Sequence, residues 1–506
     1  MKRYIYLVAW MLLMFSSCFK DNGNYTYTEV SEIEISGLKE NYVAVSFAGV
    51  VLEINPEIKT EYKDLEYEWS IWDRNKLENG MGGVKIEAEV IGTERNLAYE
   101  VNLTPSRYKL AYKVTSKSNG YSAIVSADLE INAEFSRGFY ILKETAEGNT
   151  EVDLYTEGGI MRDLLQATGG MEGKPVCLSS IYGAGYIDPS DNEMKTTKAI
   201  AITTDKGLLN MYNVADLSVI HTQEDIFYGS WPEGEIPYAM ATYGFCNMLI
   251  SSRGCDASYQ CDMMPGTGCM STFSGKGGSS LMMTDGDMFV YYWSNEEEHL
   301  ESMDQYSMGQ GFYGPFNTND INTKGMECLA CGSSWVTEPV YGYCILKEKN
   351  ADTRHMLIAN LSDNMAEELK PIPADSKMAK ATHYATNVRT ANLLYFVYNN
   401  QLYGYNLTDH MEVSQPYRLE GMGAGETITY LSYQWLEARD DKDYNFTHLV
   451  VGTQKENTYK LYMYDIVAGE PRALVRTVTG EGKLKMTMYM SPKVFVHNDD
   501  SFSLPN

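Results

Sequence analysis

A six-residue pattern, Leu-x-x-Tyr-Asn/Asp-aliphatic, recurs along the chain and constrains its fold more than any other feature. It ends three predicted hairpins, at residues 209–214, 402–407 and 461–466. Each copy follows an apolar strand and a short turn such as Asn399-Asn400, which suits a tight hairpin. With weaker copies included, the hairpins are spaced about 50 to 80 residues apart, near the period of propeller blades plus insertions.

These hairpins predict a ring of small sheets. Single hairpins leave unpaired strand edges, and ring closure protects such edges. At about 50 residues per blade, residues 136–506 hold about seven blades, and six or eight remain open. We expect Val494-Phe495-Val496 to close the ring against the first blade. The alternative is a series of further sandwiches, and the shared hairpin ending favours the propeller.

The region 29–135 has a different pattern, with about seven short alternating strands separated by turns rich in Gly and Asn. This pattern predicts an immunoglobulin-like β-sandwich without the inter-sheet disulfide, because no cysteine lies in the region. Trp69 is predicted to be the core tryptophan of a middle strand, and Tyr108 the tyrosine that fixes a corner. The whole chain is therefore predicted to be all-β, with a sandwich followed by a propeller.

The first residues read as an export signal. Lys2 and Arg3 precede an apolar run that is shorter than the about 20 residues of a membrane-spanning helix. Two serines then lead into Cys18, as in a bacterial lipobox. We predict a signal peptide over residues 1–17, an acylated Cys18, and a polar tether over 18–28. The alternative is an ordinary signal peptide with a chance cysteine.

The charge of the chain excludes some partners. A formal charge of -27 repels phosphate backbones and anionic lipid headgroups, so no nucleic-acid partner is expected. A lipid anchor would hold such an acidic body at a membrane, because each buried methylene of an acyl chain contributes roughly 0.8 kcal/mol.

The remaining cysteines suggest no metal or cofactor. Cys255, Cys261 and Cys269 lie in a Met- and Gly-rich loop whose spacing matches no zinc pattern, although soft sulfur ligands also suit Cu(I). In an exported protein we expect this loop to be stapled by disulfides. Cys328-x-x-Cys331 lacks the thioredoxin-like context of a redox motif, so structural thiols or a disulfide are expected there.

Catalytic motifs are not found in the sequence. The histidines are scattered, and neither H-E-x-x-H nor G-x-S-x-G is present, so no catalytic residue is predicted. Paired carboxylates at a propeller mouth remain open, because the chain has 68 acidic residues.

Aromatic residues in loops are the candidate ligand-binding residues. Tyr228, Trp231, Tyr313 and Trp335 lie beside Gly, Ser or Pro, where an aromatic ring can stack on a sugar or a peptide side chain. The alternative is that these rings fill gaps between blades.

The first part of the chain resembles a known family. Residues 17–27, 32–35, 67–69 and 104–108 resemble the PKD-like lipoproteins of Bacteroidetes, which implies a PKD-type sandwich. Lys20-Asp21 after the cysteine resembles the signal for export to the cell surface. Such lipoproteins are typically encoded beside SusC/SusD-like pairs, TonB-dependent transporters with a nutrient-capturing lid. The resemblance implies an accessory role in capturing glycans or oligopeptides, and it carries over no catalytic residue.

Two functional hypotheses follow. The first is a non-enzymatic binding or scaffold protein at the outer membrane, partnered with a SusC/SusD-like transporter. The second is a surface polysaccharide hydrolase or lyase with its site at the propeller mouth, since propellers host enzymes as well. The first is preferred because the sequence shows no catalytic motif.

Overall fold

The computed structural model divides the chain into two compact units, Met1–Ile131 and Asn132–Asn506. It describes residues 31–46, 51–74, 78–80, 83–85, 88–101, 103, 106–133, 135–156, 159–226, 230–243, 246–259, 276–286, 289–304, 316–437 and 445–491. Within these ranges the protein is all-β. Its helical segments are short: α1 (Gln223–Ile226) and the 3₁₀ turns Gln166–Thr168 and Met378–Lys380.

The first unit is built from short antiparallel strands. They are β1 (Glu34–Ser36), β2 (Asn41–Ser46), β3 (Val51–Ile54), β4 (Glu57–Lys59), β5 (Leu65–Asp73), β6 (Glu78–Gly80), β7 (Gly83–Lys85), β8 (Glu89–Gly92), β9 (Leu97–Glu100), β10 (Ser106–Ser116) and β11 (Ser122–Ala133). Five of them form one sheet in the order β2-β11-β10-β5-β8, and β1-β4, β3-β9 and β6-β7 form pairs. Apolar residues of the large sheet and of β3 and β9 share one hydrophobic core.

Trp69 lies at the centre of that core, as the sequence predicts. Its side chain on β5 is fully buried and stacks on Tyr112 of β10, with ring centroids 4.1 Å apart. The indole Nε1 donates to the carbonyl oxygen of Glu94 at 3.1 Å, and the Tyr112 hydroxyl donates to that of Arg95 at 3.0 Å. The two rings therefore fix the turn before β9, and Tyr108 is buried in the same core.

The second unit contains seven antiparallel sheets among its described residues, which we number 1 to 7 along the chain. The strands of the first four sheets are β12 (Gly138–Glu144), β13 (Thr150–Thr156), β14 (Gly159–Met161), β15 (Pro175–Asp188), β16 (Glu193–Thr204), β17 (Leu209–Asn213), β18 (Val219–Thr222), β19 (Pro237–Tyr243), β20 (Cys246–Ser251), β21 (Gly254–Tyr259), β22 (Met282–Thr284), β23 (Phe289–Ser294) and β24 (His299–Asp304). Sheet 1 starts at β12, sheet 2 at β15, sheet 3 at β19 and sheet 4 at β22.

The last three sheets continue the same arrangement. Their strands are β25 (Met326–Ser334), β26 (Tyr341–Glu348), β27 (Arg354–Asn360), β28 (Met365–Ile372), β29 (His383–Thr386), β30 (Leu393–Tyr398), β31 (Gln401–Asn406), β32 (Met411–Glu412), β33 (Thr427–Leu436), β34 (Phe446–Lys455), β35 (Thr458–Val467) and β36 (Glu470–Glu481). Sheet 5 starts at β25, sheet 6 at β29 and sheet 7 at β33. The three hairpins predicted from the sequence pair as β16-β17, β30-β31 and β34-β35.

The sheets pack face to face in chain order, as in a propeller. Separate hydrophobic clusters join sheets 2 and 3, sheets 4 and 5, sheets 5 and 6, and sheets 6 and 7. A larger cluster contains residues of sheets 7, 1 and 2, and also residues of sheets 3 and 4. The first strands of neighbouring sheets contact one another, as β25 contacts β29 and β29 contacts β33. The architecture of this unit is therefore propeller-like.

The last described strand, β37 (Lys483–Met490), returns to the first sheet. It pairs antiparallel with β12 and so completes sheet 1, whose order is β37-β12-β13-β14. It also contacts β15 of sheet 2 and β33 of sheet 7. The strand predicted for this role, Val494–Val496, lies outside the described residues.

The recurring hairpin ending has a local physical cause. Its Asn ends the third strand of a sheet and its side-chain oxygen accepts backbone N–H groups of the turn that follows. Asn213 accepts from Ala215 at 3.0 Å, Asn406 accepts from Thr408 at 2.8 Å, and Asn360 of sheet 5 accepts from residue 363 at 3.1 Å. Such turns need a short polar side chain, which explains the Asn at these positions, whereas Asp465 of the third copy lies within β35, with its Oδ1 3.1 Å from His448 Nδ1.

A buried ionic cluster links the first and last sheets. Lys143 Nζ lies 2.7 Å from Asp153 Oδ1 and 2.8 Å from Asp163 Oδ1, and the Lys143 and Asp153 side chains are 4% and 0% exposed. The hydroxyl of Tyr459 on β35 donates to Asp153 Oδ2 at 2.6 Å. The Asp153 carboxylate therefore has charged and neutral donors from two sheets, which its burial requires.

A second buried carboxylate lies in sheet 7. Glu426 accepts hydrogen bonds from Lys460 at 2.6 Å, Tyr462 at 2.8 Å and Thr453 at 2.9 Å. Burial alone would raise the pKa of Glu426, but these donors favour the charged form and lower the pKa to about 2. The carboxylate is therefore ionised at neutral pH and holds β33 against β34 and β35.

Candidate functional site

The second unit contains a cavity of about 420 Å³, lined by residues on or next to one edge strand of each of six sheets. These strands are β15, β22, β25, β29, β33 and β37. The volume lies in the range of small-molecule sites, which measure about 300 to 1,000 Å³. Among the lining residues that the structure describes, Glu437 and Lys485 are the charged ones. The wall is otherwise made of aromatic, aliphatic, thiol, hydroxyl and amide side chains.

Two tryptophans from different sheets meet at one end of the cavity, and we call them the tryptophan pair. Trp335 directly follows β25 and Trp435 lies on β33, and both rings are half-buried. Their centroids are 5.6 Å apart with the planes at 78°, the edge-to-face arrangement that aromatic rings favour. Trp335 Nε1 donates at 3.1 Å to the Thr284 carbonyl and to Ser333 Oγ. Sheets 4, 5 and 7 together therefore fix the pair.

A glycine allows this position of Trp335. Gly286 has φ +83°, and a Cβ placed on it would lie 3.1 Å from the Cε2 and Cζ2 atoms of the Trp335 ring. The indole therefore packs directly on the backbone of the turn after β22. A larger residue would be strained in its backbone and would press on the ring.

Arg389 covers the tryptophan pair. Its guanidinium carbon lies 4.7 Å from the ring centroid of Trp435 and 5.7 Å from that of Trp335, and the guanidinium forms an ion pair with Glu437. The side chains of Arg389 and Glu437 are 37% and 60% exposed. This end of the cavity therefore opens to solvent, with an aromatic surface, a cation and a carboxylate side by side.

Lys485 marks the opposite end of the cavity. The N–H of Leu178 donates to Met486 Sδ, and the N–H of Ser491 donates to the Tyr182 hydroxyl, so β15 and β37 run in the same direction. The lining begins at Lys485 on β37 and at Val176 on β15, next to Cys177, whereas Trp335 and Glu437 directly follow the last residues of β25 and β33.

The thiols of the cavity wall have raised pKa values. Burial raises the pKa of Cys177 to about 12, although the nearby Lys485 charge opposes the shift. Cys331 also lines the cavity, burial raises its pKa, and its cross-strand partner is Cys344. A thiol is a nucleophile only as a thiolate, so these cysteines are neutral wall residues at neutral pH.

The cysteines whose side chains the structure describes are thiols rather than disulfides, namely Cys177, Cys255, Cys328, Cys331 and Cys344. Cys255 therefore does not form the predicted disulfide staple in the structure, because its buried thiol packs in the core instead. Cys261 and Cys269 lie outside the described residues. Within the ranges given above, no group of three or more His, Cys, Asp or Glu side chains is placed to hold a metal ion.

The candidate residues from the sequence have different places in the structure. Trp335 lines the cavity, whereas Trp231 packs against the hydrophobic cluster between sheets 2 and 3 and donates to the Glu235 carbonyl at 3.2 Å. Tyr228, Tyr313 and Cys18 lie outside the described residues.

Sequence reasoning missed Trp435, Arg389 and Lys485. Trp435 lies within a strand and so lacks the loop context used to select candidates, whereas Arg389 lies in the loop between β29 and β30 but is not aromatic. Gln434 beside Trp435, on the same strand as Ser432, is the local signal that β33 borders a polar space. No helix in the described part of the chain is long and apolar enough to cross a membrane.

Comparison with known proteins characterises the N-terminal part. The model of the PKD-like family matches residues 18–175, so the chain carries a PKD-like N-terminal domain. A comparison with curated proteins finds no match.

Solved structures that resemble the chain do so distantly. A quinonprotein alcohol dehydrogenase-like protein from Bacteroides thetaiotaomicron is 14% identical with a TM-score of 0.41, covering 89% of this chain and 97% of that one. Apo AztD from Citrobacter koseri is 10% identical with a TM-score of 0.35, covering 85% and 100%. A puromycin hydrolase is 10% identical with a TM-score of 0.38, covering 67% and 52%.

Proposed function

We propose that the protein is a surface-exposed outer-membrane lipoprotein, anchored through Cys18, that binds glycans or oligopeptides for a SusC/SusD-like TonB-dependent uptake system. In this proposal the PKD-like sandwich is a spacer. The seven sheets of the second unit are the blades of one propeller, closed by β37, and its central cavity receives the ligand.

The observation that carries the proposal is the tryptophan pair. Trp335 and Trp435 are half-buried, come from different sheets and both line the cavity, and Trp435 also packs against the cluster that joins sheets 6 and 7. Partly exposed aromatic rings of this kind stack on the apolar faces of sugars and peptide side chains. Arg389 and Glu437 beside them add polar groups that can orient a ligand.

The composition of the cavity wall favours binding over glycoside hydrolysis. Most glycosidases need two carboxyl groups about 5 to 10 Å apart, one to protonate the leaving group and one to attack or to activate water. Among the described lining residues Glu437 is the single carboxylate, and Arg389 holds it in an ion pair. A non-enzymatic binding protein therefore fits this wall better than a hydrolase.

The anchor is tested by substituting Cys18. We expect Cys18→Ala to abolish labelling with a radioactive or clickable fatty acid and to release the protein from the membrane fraction, whereas Ser17→Ala leaves both unchanged. Protease treatment of intact cells should digest the wild-type protein. A Cys18→Ala protein that stays in the outer membrane would contradict the anchor.

The partner is tested by purification from outer membranes. A tagged full-length protein extracted in mild detergent should carry a SusC/SusD-like pair with it, identified by mass spectrometry. Recovery of the tagged protein alone, under conditions that keep other transporter complexes together, would count against the uptake role.

The binding site is tested with two tryptophan variants in the full-length protein. We expect Trp435→Ala to weaken binding of the best ligand from a panel of oligosaccharides and peptides by about 30-fold, the effect of losing an aromatic hot spot worth about 2 kcal/mol. Trp231→Ala is the matched control, because it removes core packing away from the cavity wall. It should lower the melting temperature and leave the Kd unchanged. The reverse pattern would show that the tryptophan pair only fills space.

A further inference from the structure

Lys485 is a charged side chain of the cavity wall without an oppositely charged partner among the described residues. Its side chain is exposed and lines the cavity, and among the described residues it forms neither an ion pair nor a hydrogen bond. The other charged lining residue, Glu437, is paired with Arg389. Because Arg389 pairs with Glu437, Lys485 is the charged lining residue without an oppositely charged partner among the described residues, at the end opposite the tryptophan pair.

This charge is notable in a protein with 68 acidic and 41 basic residues. Two positions earlier on the same strand, Lys483 is paired with Glu144 at 2.9 Å and is not part of the cavity wall. Both lysines lie on β37, but only the one in the cavity lacks a carboxylate partner. The adjacent Cys177 thiol is neutral and supplies no anion.

The shape of the cavity indicates a ligand of several units. The lining runs from Tyr430 on β33 to Glu437 directly after it, a length of about 23 Å at about 3.3 Å per residue. Between the two ends the wall presents hydroxyl and amide side chains, among them Ser432, Gln434 and Thr487. Polar groups of this kind match sugar hydroxyls.

We propose that the cavity binds an acidic oligosaccharide, with Lys485 binding a uronate carboxylate at one end and the tryptophan pair stacking on a pyranose ring at the other. This inference rests on the proposed function, in which the cavity is the ligand site. A charge-assisted hydrogen bond between an ammonium and a carboxylate is stronger than a neutral one. A neutral glycan would leave the ammonium without a partner.

The experiment compares ligands that differ only in charge. Tetrasaccharides of galacturonate and of mannuronate, each with its methyl ester, are titrated calorimetrically into the full-length protein in detergent. We expect at least one acid to bind about 10-fold more tightly than its ester, the factor that a hydrogen bond to a charged group supplies. Raising the salt from about 50 to 500 mM should weaken binding of the acid more than that of the ester.

Substitutions on β37 test whether Lys485 causes the preference for the acid over its ester. Lys485→Gln should remove the preference for the acid, Lys485→Arg should keep it, and Lys483→Gln should leave it unchanged. The melting temperature of each variant shows that it is folded.

Equal binding of acid and ester, or equal weakening by Lys485→Gln and Lys483→Gln, would overturn the inference. If neutral glycans or peptides bind in a Trp435-dependent manner while the acids do not, the inference is wrong and the binding function stands. If no member of the panel binds, the binding function fails as well.

Discussion

The buried cluster around Asp153 gives a quantitative test of how the second unit is held together. Lys143→Met removes the ammonium that lies 2.7 Å from Asp153 Oδ1 and keeps a side chain of similar length. The Asp153 side chain is fully buried, so its charge would be left with the neutral donors Tyr459 and the N–H of Asp163. Breaking a buried pair by removing one partner costs about 3 to 5 kcal/mol.

Lys483 on the partner strand is the matched control. Its side chain is 64% exposed, and its pair with Glu144 is therefore worth about 0.2 to 1 kcal/mol. Lys143 and Glu144 are neighbours on β12, so both substitutions affect the same strand pair. The two variants differ mainly in the burial of the ion pair that is lost.

The assay is urea unfolding followed by tryptophan fluorescence and circular dichroism. With a slope of about 3 kcal/mol per molar urea, Lys143→Met should lower the midpoint by roughly 1 M, and Lys483→Met by less than about 0.3 M. Tyr459→Phe, which deletes a hydrogen bond to the same carboxylate, should lie between them at about 1.5 to 3 kcal/mol. If Lys143→Met is tolerated as well as Lys483→Met, the cluster does not stabilise the unit and the reasoning is wrong.

Three further predictions concern other parts of the second unit. The pKa of Glu426 is about 2 in the folded state and about 4.5 when unfolded, so the stabilisation by its carboxylate is complete above pH 4.5 and is lost as the pH falls towards 2. In Glu426→Gln, the free energy of unfolding measured with urea should therefore change less between pH 4.5 and pH 2 than in the wild type. Gly286→Ala should lower the melting temperature and weaken ligand binding, because its φ of +83° and its contact with Trp335 both exclude a methyl group; wild-type affinity in this variant would contradict the role given to the turn. Truncation after Gly482 removes β37 and should yield aggregated protein by size-exclusion chromatography, and a soluble monomer would refute the need for closure.

The local parts of the fold were predictable from the sequence. The hairpins β16-β17, β30-β31 and β34-β35 were found because their turns and terminal Asn or Asp residues are determined within about 25 neighbouring residues. Trp69 was identified for the same reason, since a buried tryptophan in an alternating strand has a local pattern.

The closing strand and the complete cavity wall were not predictable. β37 pairs with a strand at the other end of the unit, and its sequence reads like any alternating strand, so nothing local identifies its partner. The tryptophan pair likewise depends on two sheets lying side by side. Trp335 was found from its loop, whereas Trp435 and Arg389 become meaningful only when the sheets are assembled.

The pairing of β37 with β12 also sets an order of events during synthesis. Strand β37 forms one edge of sheet 1 but is synthesised after sheets 2 to 7. The edge of β12 therefore stays unpaired while those sheets are translated. Exposed strand edges of this kind can pair with strands of other chains. A product that ends before β37 would therefore keep the β12 edge unpaired, and that edge could pair with a neighbouring chain instead of with β37.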